Sequence, residues 1–318
     1  MRADGAEPAE TVVSVAGNRL PLAEFLADCL DPVGDAELLA ARLTFLAGGL
    51  DALRSAGAPR WTQLGLGGVR AALYPELARC ARSLLARGEV TDFFFMHKPP
   101  GLRVRFAAAQ GRAAAVREQV RREADRWRRE GLVAEVSPGL YEPEAHLFGG
   151  PASMRHVHRL FTVDSLAWLD HLAVAEGRAP NWVVSLLMLR SVFSGLEVAG
   201  WEDRDVWARV RDCAHRTLPG ELTTGPTATA CRELRARWRA PEELRAALPE
   251  RAQEVLRAHD AAVRPVLADW RTEYFASERA RVGPREAASY HVVFHWNRGR
   301  LTGGRQALIA EALAGSDD

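Results

Sequence analysis

The stretch "TDFFFMHKPPGLRVRF", residues 91–106, decides the fold. Three phenylalanines run into His97 and Lys98, two prolines and a glycine follow, and then Leu102, Arg103, Val104, Arg105 and Phe106 alternate. The pattern predicts two strands, 91–96 and 101–107, joined by a turn over His97–Pro100. Alternate side chains of a strand share a face, so Arg103 and Arg105 point one way and Leu102, Val104 and Phe106 the other. The two arginines are then either the wet face of an antiparallel sheet or one wall of an anion-binding cavity.

Working outward, "WTQLGLGG" at 61–68 alternates Trp61, Gln63 and Gly65 against Thr62, Leu64 and Leu66, and predicts a third strand. Helices are predicted over 69–87 and 112–130, the second with a solvated face of alternating arginines and acids. "LVAEV" predicts a short strand that turns at Pro138–Gly139. Upstream, residues 1–17 read as a flexible tail, and 20–30 and 35–56 as two helices.

After Pro151 the chain reads as helical to its end, with breaks near 162, 179, 200, 219–226, 241, 283 and 299–304. Asp164 and Asn181 read as N-caps, and Pro265 predicts a kink. Helices, then strands, then helices indicate an α+β fold: a mostly antiparallel sheet covered by helices, with a helix-rich C-terminal half. The organisation expected is one domain over 1–318 with an N-terminal helical extension, 18–56.

With 318 residues, 47% hydrophobic and 26% charged, the chain can bury a sizeable core. A net charge of +1 gives no case for nucleic acid or membrane as a partner. Cys29, Cys80, Cys213 and Cys231 lack metal-site spacing, and no signal-like apolar run is present, so the cytoplasm is the expected location.

Two further segments concentrate reactive side chains. "LYEPEAHLFGGP", 140–151, packs Tyr141, Glu142, Glu144 and His146 together, as a proton-transfer site or a polar loop. Glu142 and Glu144 could equally pair with Arg103 and Arg105 across the sheet. "SYHVVFHWNRGRLTGG", 289–304, sets His291 and His295 one helical turn apart, with Ser289, Tyr290, Asn297 and Arg298 beside them. A histidine pair at this spacing suits a metal, but no third ligand is apparent, and a cavity-lining helix explains the polar crowding more simply. His156 and His158 read as surface or packing residues.

The segments "DFFFMHKPPGLRVRF", "YEPEAHLFGGPASMRHVHRLFTVDS" and "FHWNRGRLTG" together resemble the thiopeptide-type bacteriocin biosynthesis family. That family shares its fold with the C-terminal glutamate-elimination domain of lantibiotic dehydratases. The resemblance covers roughly 58–175 and 285–315. It implies one of two chemistries: β-elimination of glutamate from glutamylated serine or threonine, or pyridine formation by stand-alone members of this size. In the second, two dehydroalanines of a ribosomally made peptide join in a formal [4+2] aza-cycloaddition, with loss of water and leader.

Departures from the eliminating pattern favour the synthase: His97 and Leu147 stand where those members usually carry arginine, Gly101 and Val293 where they carry histidine. Holding a departing glutamate needs arginines, and Arg103 and Arg105 remain.

The reading is therefore a pyridine synthase. Tyr290, His295, Tyr141, Ser289 and Glu142 are the expected catalytic residues. Arg103, Arg105, Glu144, His97, His291, Asn297 and Arg298 are expected to bind substrate. No metal or organic cofactor is expected. The partners implied are a leader-bearing, dehydroalanine-containing precursor peptide and other biosynthetic enzymes. A glutamate-eliminating half of a split dehydratase and a non-catalytic peptide-binding module are the alternatives.

Overall fold

The computed structural model describes residues 12–15, 18–27, 36–56, 60–219 and 225–315. The chain divides into two units, 1–59 with 110–114 and 60–109 with 115–318. In the first, β1 (Val12–Val15) pairs antiparallel with β2 (Asn18–Pro21), followed by α1 (Leu22–Ala27) and α2 (Ala36–Ala56). The hairpin replaces part of the flexible tail expected over 1–17, because β-branched "VVSV" favours a strand once it has a partner. Phe25 is buried and meets the Phe45 ring edge-on at 5.6 Å. The stretch between the two helices, with Asp31–Pro32 and Gly34, lies outside the described residues.

The second unit is built on a four-stranded antiparallel sheet. Its strands are β3 (Trp61–Gly67), β4 (Val90–Lys98), β5 (Gly101–Ala108) and β6 (Glu135–Gly139), in the order β4-β5-β3-β6. The alternation holds: Phe95 faces Val104 and Phe94 faces Arg105 in register, and Gln63 lies opposite Arg105 on the other side. One face carries Leu64, Leu66, Phe93, Phe95, Leu102, Val104 and Phe106, all buried. The other carries Trp61, Gln63, Phe94, Met96, Arg103, Arg105 and Ser137. Gly65 sits here because a Cβ would meet Ser137 Oγ at 2.7 Å and Pro100 Cδ at 3.1 Å.

Pro138–Gly139 does not turn but closes β6, whose edge position lets Pro138 lack an N–H at no cost to the ladder. Helices α3 (Leu73–Ala86) and α4 (Ala113–Arg129) bury one apolar stripe each, the second through Val116, Val120, Ala124 and Trp127. Arg126 at the solvated side holds Glu76, Glu123 and Glu130, as the charge pattern suggests.

Helix α5 (Pro151–Leu172) runs unbroken through the expected break near 162. It packs along the β4 edge, where the Thr162 and Ser165 hydroxyls accept from Phe93 N at 3.0 Å and Phe95 N at 3.3 Å. The remaining helices are α6 (Asn181–Gly195), α7 (Trp201–Cys213), α8 (Pro226–Arg239), α9 (Pro241–Ala246), α10 (Glu250–Trp270), α11 (Pro284–Arg298) and α12 (Gly303–Ala314).

Helix α10 packs on α5 and α6, α11 on α7, and α12 on α7 and α8. α10 continues through Pro265, an exposed position where water can take the freed carbonyl; the irregularity comes later, as a π-helical turn over Arg271–Phe275. Asn181 is the first helical residue of α6 rather than its cap, and its amide bridges His171 at 3.1 Å and the Gly299 carbonyl at 2.8 Å.

Candidate active site

Two clusters of reactive side chains flank the ring of Phe161 on α5. The first lies on the polar sheet face. Arg105 is only 5% exposed. Its guanidinium lies 4.9 Å from the Phe94 centroid and 4.7 Å from that of Tyr141, and its Nε donates to Gln63 Oε1 at 2.6 Å. Burial pushes its pKa down, and the Tyr141 and Glu144 charges oppose that shift.

Tyr141 is buried, and its hydroxyl lies 2.9 Å from His158 Nε2. Trp61 closes on both rings, at 4.9 Å from Tyr141 and 4.6 Å from His158. Burial, then the Arg60 and Arg105 charges, push His158 down to about 4, so its imidazole is neutral at pH 7. Burial, then Glu144, push Tyr141 up, so its hydroxyl keeps its proton. A phenol held by a neutral imidazole is a proton relay.

The relay borders a cavity of about 480 Å3 lined by Arg60, Asp92, Met154, Arg155, His158 and Arg159. Asp92 is buried and its pKa is raised by that burial, which favours the protonated acid. Arg155 pairs with Glu273 at 2.6 Å and Arg159 with Asp269 at 3.5 Å, while Arg60 donates to Thr91 Oγ1 at 2.6 Å.

The second cluster lies on the other side of Phe161, whose ring is 5.2 Å from Phe94 and 4.4 Å from the Arg298 guanidinium carbon. Asp164 is the centre. Its Oδ1 is 2.7 Å from His295 Nδ1, and its Oδ2 accepts from Arg298 Nε at 2.6 Å. His295 Nε2 is 3.0 Å from Ser185 Oγ, and the Trp168 indole approaches Nδ1 at 3.3 Å. All of these polar residues are fully buried.

Burial alone would raise the Asp164 carboxyl, but His295 and Arg298 outweigh it and hold it well below the usual carboxylate range. Burial pushes His295 itself down, while the Asp164 charge and hydrogen bond oppose that shift; Arg298 adds a permanent positive charge on the other carboxylate oxygen. Asp164 is therefore a buried counter-ion at mid-helix and not an N-cap, a role set by residues 131 and 134 positions away.

Asp164 also supplies the third group near His291 and His295 that the sequence did not reveal: their ligand atoms lie within 4.8 Å of one another. The donor set does not fit a divalent metal. Both carboxylate oxygens are engaged, and a dication there would have to share the single Asp164 negative charge with the Arg298 guanidinium beside it.

The other expected residues are dispersed. Arg103 is half-buried and donates from Nε to the Pro99 carbonyl at 3.1 Å. Glu142 is exposed and Glu144 half-buried, and neither forms an ion pair with Arg103 or Arg105. His97 is held between Tyr74 Oη at 3.1 Å and the Asn297 carbonyl at 3.2 Å, which ties β4 to α3 and α11. Ser289 bonds back to the Glu286 carbonyl at 2.7 Å, and Tyr290 is half-buried against Phe148, with centroids 6.0 Å apart. His291 is buried and stacks on Phe161 at 6.0 Å.

His158, read from sequence as a packing residue, and Asp92, Gln63 and Ser185 are the groups that reasoning missed. One signal was available. On an unbroken helix Met154, His158, Phe161 and Ser165 form a single stripe, which here faces β4 and the cavity.

The lantibiotic biosynthesis dehydratase C-terminal family model matches residues 66–315, most of the chain, and the protein belongs to that family. Among solved structures it is similar to the tRNA-dependent lantibiotic dehydratase MibB from Microbispora sp. 107891. The TM-score is 0.59 at 18% identity, with 81% of this chain and 28% of that chain covered, so the likeness is one of fold. No curated protein matches. Among the described residues no helix is long and apolar enough to cross a membrane.

Proposed function

We propose that the protein is a thiopeptide-type pyridine synthase, acting on a leader-bearing precursor peptide and joining two of its dehydroalanines. The observation that carries this reading is the Tyr141–His158 pair, a protonated phenol on a neutral imidazole, of which His158 lines the cavity. The cycloaddition needs one peptide amide in its iminol form. Tyr141 takes the amide N–H proton as it hands its own to His158 Nε2, and Asp92 in its acid form, which burial favours, gives a proton to the carbonyl oxygen.

The resulting C=C–N=C unit and the second dehydroalanine form two C–C bonds. In the loss of water the hydroxyl leaves with the proton held on His158, and the Asp92 carboxylate takes a ring C–H proton; elimination of the leader as its amide, with one further ring C–H proton, then makes the ring aromatic. Holding the two alkenes in contact geometry contributes up to about 7–11 kcal/mol of rate enhancement. Arg105 orients the Tyr141 ring from beneath, and Arg103 binds a peptide carbonyl. Asp164, His295 and Arg298 fix α5 against α11 from within, so they position the site without touching substrate. The organisation that fits best is one catalytic domain with the N-terminal helices as an extension.

A second reading has its own support. Three arginines, Arg60, Arg155 and Arg159, ring the same cavity, and a departing glutamate carboxylate needs such groups. Mass spectrometry separates the readings. The purified protein is mixed with a leader-bearing, dehydroalanine-containing peptide. A product lighter by leader and water, with free leader amide beside it, is the expected result. Unchanged peptide, with glutamate released from a glutamylated analogue, overturns it in favour of elimination.

A further inference from the structure

Strand β6 ends at Gly139, and two residues later Tyr141 must already stand over the sheet against His158. Little holds the chain between those points. The Leu140 side chain is exposed and anchors nothing. Residues 140–143 take part in no backbone–backbone hydrogen bond among the described residues.

One side chain spans the gap. Gln63 lies on β3 with Arg105 of β5 opposite on one side and Gly139 of β6 on the other. Its Oε1 accepts from Arg105 Nε at 2.6 Å, and its Nε2 donates to the Leu140 carbonyl at 3.1 Å. The two ends of this amide are not interchangeable, because a guanidinium only donates and a carbonyl only accepts. Gly139 leaves the room that the amide needs: a Cβ there would overlap Gln63 Nε2. The contacts close on themselves, since Gln63 holds Arg105, Arg105 lies 4.7 Å from the Tyr141 centroid, and Tyr141 follows the Leu140 carbonyl that Gln63 also holds.

We infer that Gln63 is a positioning residue: it ties the chain at Leu140 to Arg105 and so sets the Tyr141 hydroxyl against His158, without touching substrate. The inference rests on the Tyr141–His158 relay of the proposed function and adds what registers it. That hydrogen bond is 2.9 Å long. A slip of about 1 Å takes the pair out of range, and a misplacement of that size costs about 10²-fold in rate.

Two variants test this. Gln63→Glu keeps an acceptor for Arg105 but sets a carboxylate oxygen against the Leu140 carbonyl, so it breaks one end only. Gly139→Ala displaces the amide from the other side. It adds no charge, and at an exposed position it meets only the mobile end of a side chain, so the fold is kept. Each lowers kcat by about 10–100-fold with KM within about twofold of the parent. In a Tyr141→Phe background neither lowers it further, because a residue that acts through Tyr141 has nothing left to position.

A spectroscopic measurement needs no substrate. In histidine-selective nitrogen NMR, with His158→Gln giving the assignment, the parent His158 titrates at about 4. Gly139→Ala moves that titration up toward about 6.5, as the ring loses Tyr141 and gains water. An unmoved His158 titration in Gly139→Ala, or losses that multiply in the double variants, overturns the inference. The outcome is separable from that for the catalytic reading. With no pyridine product from the parent, the synthase reading falls and the titration alone decides the role of Gln63. Pyridine product with an unmoved titration overturns the role of Gln63 alone.

Discussion

Asp164 on α5 and His295 on α11 lie 2.7 Å apart with neither side chain exposed, and Arg298 closes on the other carboxylate oxygen. Removing one member of such a buried set leaves an uncompensated charge. Asp164→Ala is expected to cost about 3–5 kcal/mol of stability, measured by urea denaturation. A loss within 1 kcal/mol of zero would mean that Arg298 finds water instead.

Stability should fall as pH falls from about 6.5 to 4. Burial pushes His97, His158 and His171 each down to about 4, against about 6.5 in an unfolded chain. Between those values the unfolded chain binds more protons, so protonation favours unfolding, by up to about 1.4 kcal/mol per pH unit for each histidine. The contribution is complete above the unfolded value. Asp92, raised by burial, works in the opposite direction at the acid end. Denaturant midpoints across pH 4 to 7 check this, and replacing the three histidines by glutamine should flatten the slope.

Tyr141→Phe removes the relay hydroxyl and keeps the ring over Arg105. Product formation should drop by about 10²–10⁴-fold with the melting temperature little changed. For the parent protein, the rate should fall as pH drops through about 4, where His158 takes a proton and no longer accepts from Tyr141. Product output unaffected by Tyr141→Phe would turn the assignment toward a peptide-binding module.

Arg105→Lys should not be conservative. A lysine keeps the charge but cannot stack flat between Phe94 and Tyr141 while holding Gln63. A stability loss of about 1–2 kcal/mol is expected from the two ring contacts, with a rise in KM as Tyr141 loses its support. Thermal melts and steady-state kinetics would read the two effects separately.

Gly149→Ala should be among the most damaging small changes in the chain. Gly149 has φ +85°, and a Cβ there would overlap the Tyr274 hydroxyl, which accepts from Arg281 N at 2.9 Å. The expected cost is about 2 kcal/mol or more, read from the shift in denaturation midpoint.

The central strand pair and its two-faced character were legible in residues 91–106, because strand alternation is a local property. The same locality misled at Asp164. Aspartate before serine resembles a helix start, and nothing nearby reveals that Arg298 and His295 will neutralise it. His158 was lost for a related reason. With a break assumed near 162, it had no helical stripe to belong to, whereas the unbroken α5 aligns it with Phe161 and Ser165. Arg105 was legible as a residue of interest, but its burial between two rings depends on Tyr141 returning over the sheet from outside it.

The hydroxyls that Thr162 and Ser165 present to β4 limit how another chain can be recognised. Two of that border strand's outward amides are already spent inside the molecule, and at the opposite border Pro138 offers none. A visiting peptide therefore finds little main-chain ladder to extend at either side. A peptide substrate of the kind proposed would then be chosen by what its side chains carry, with its backbone left free to bend back on itself.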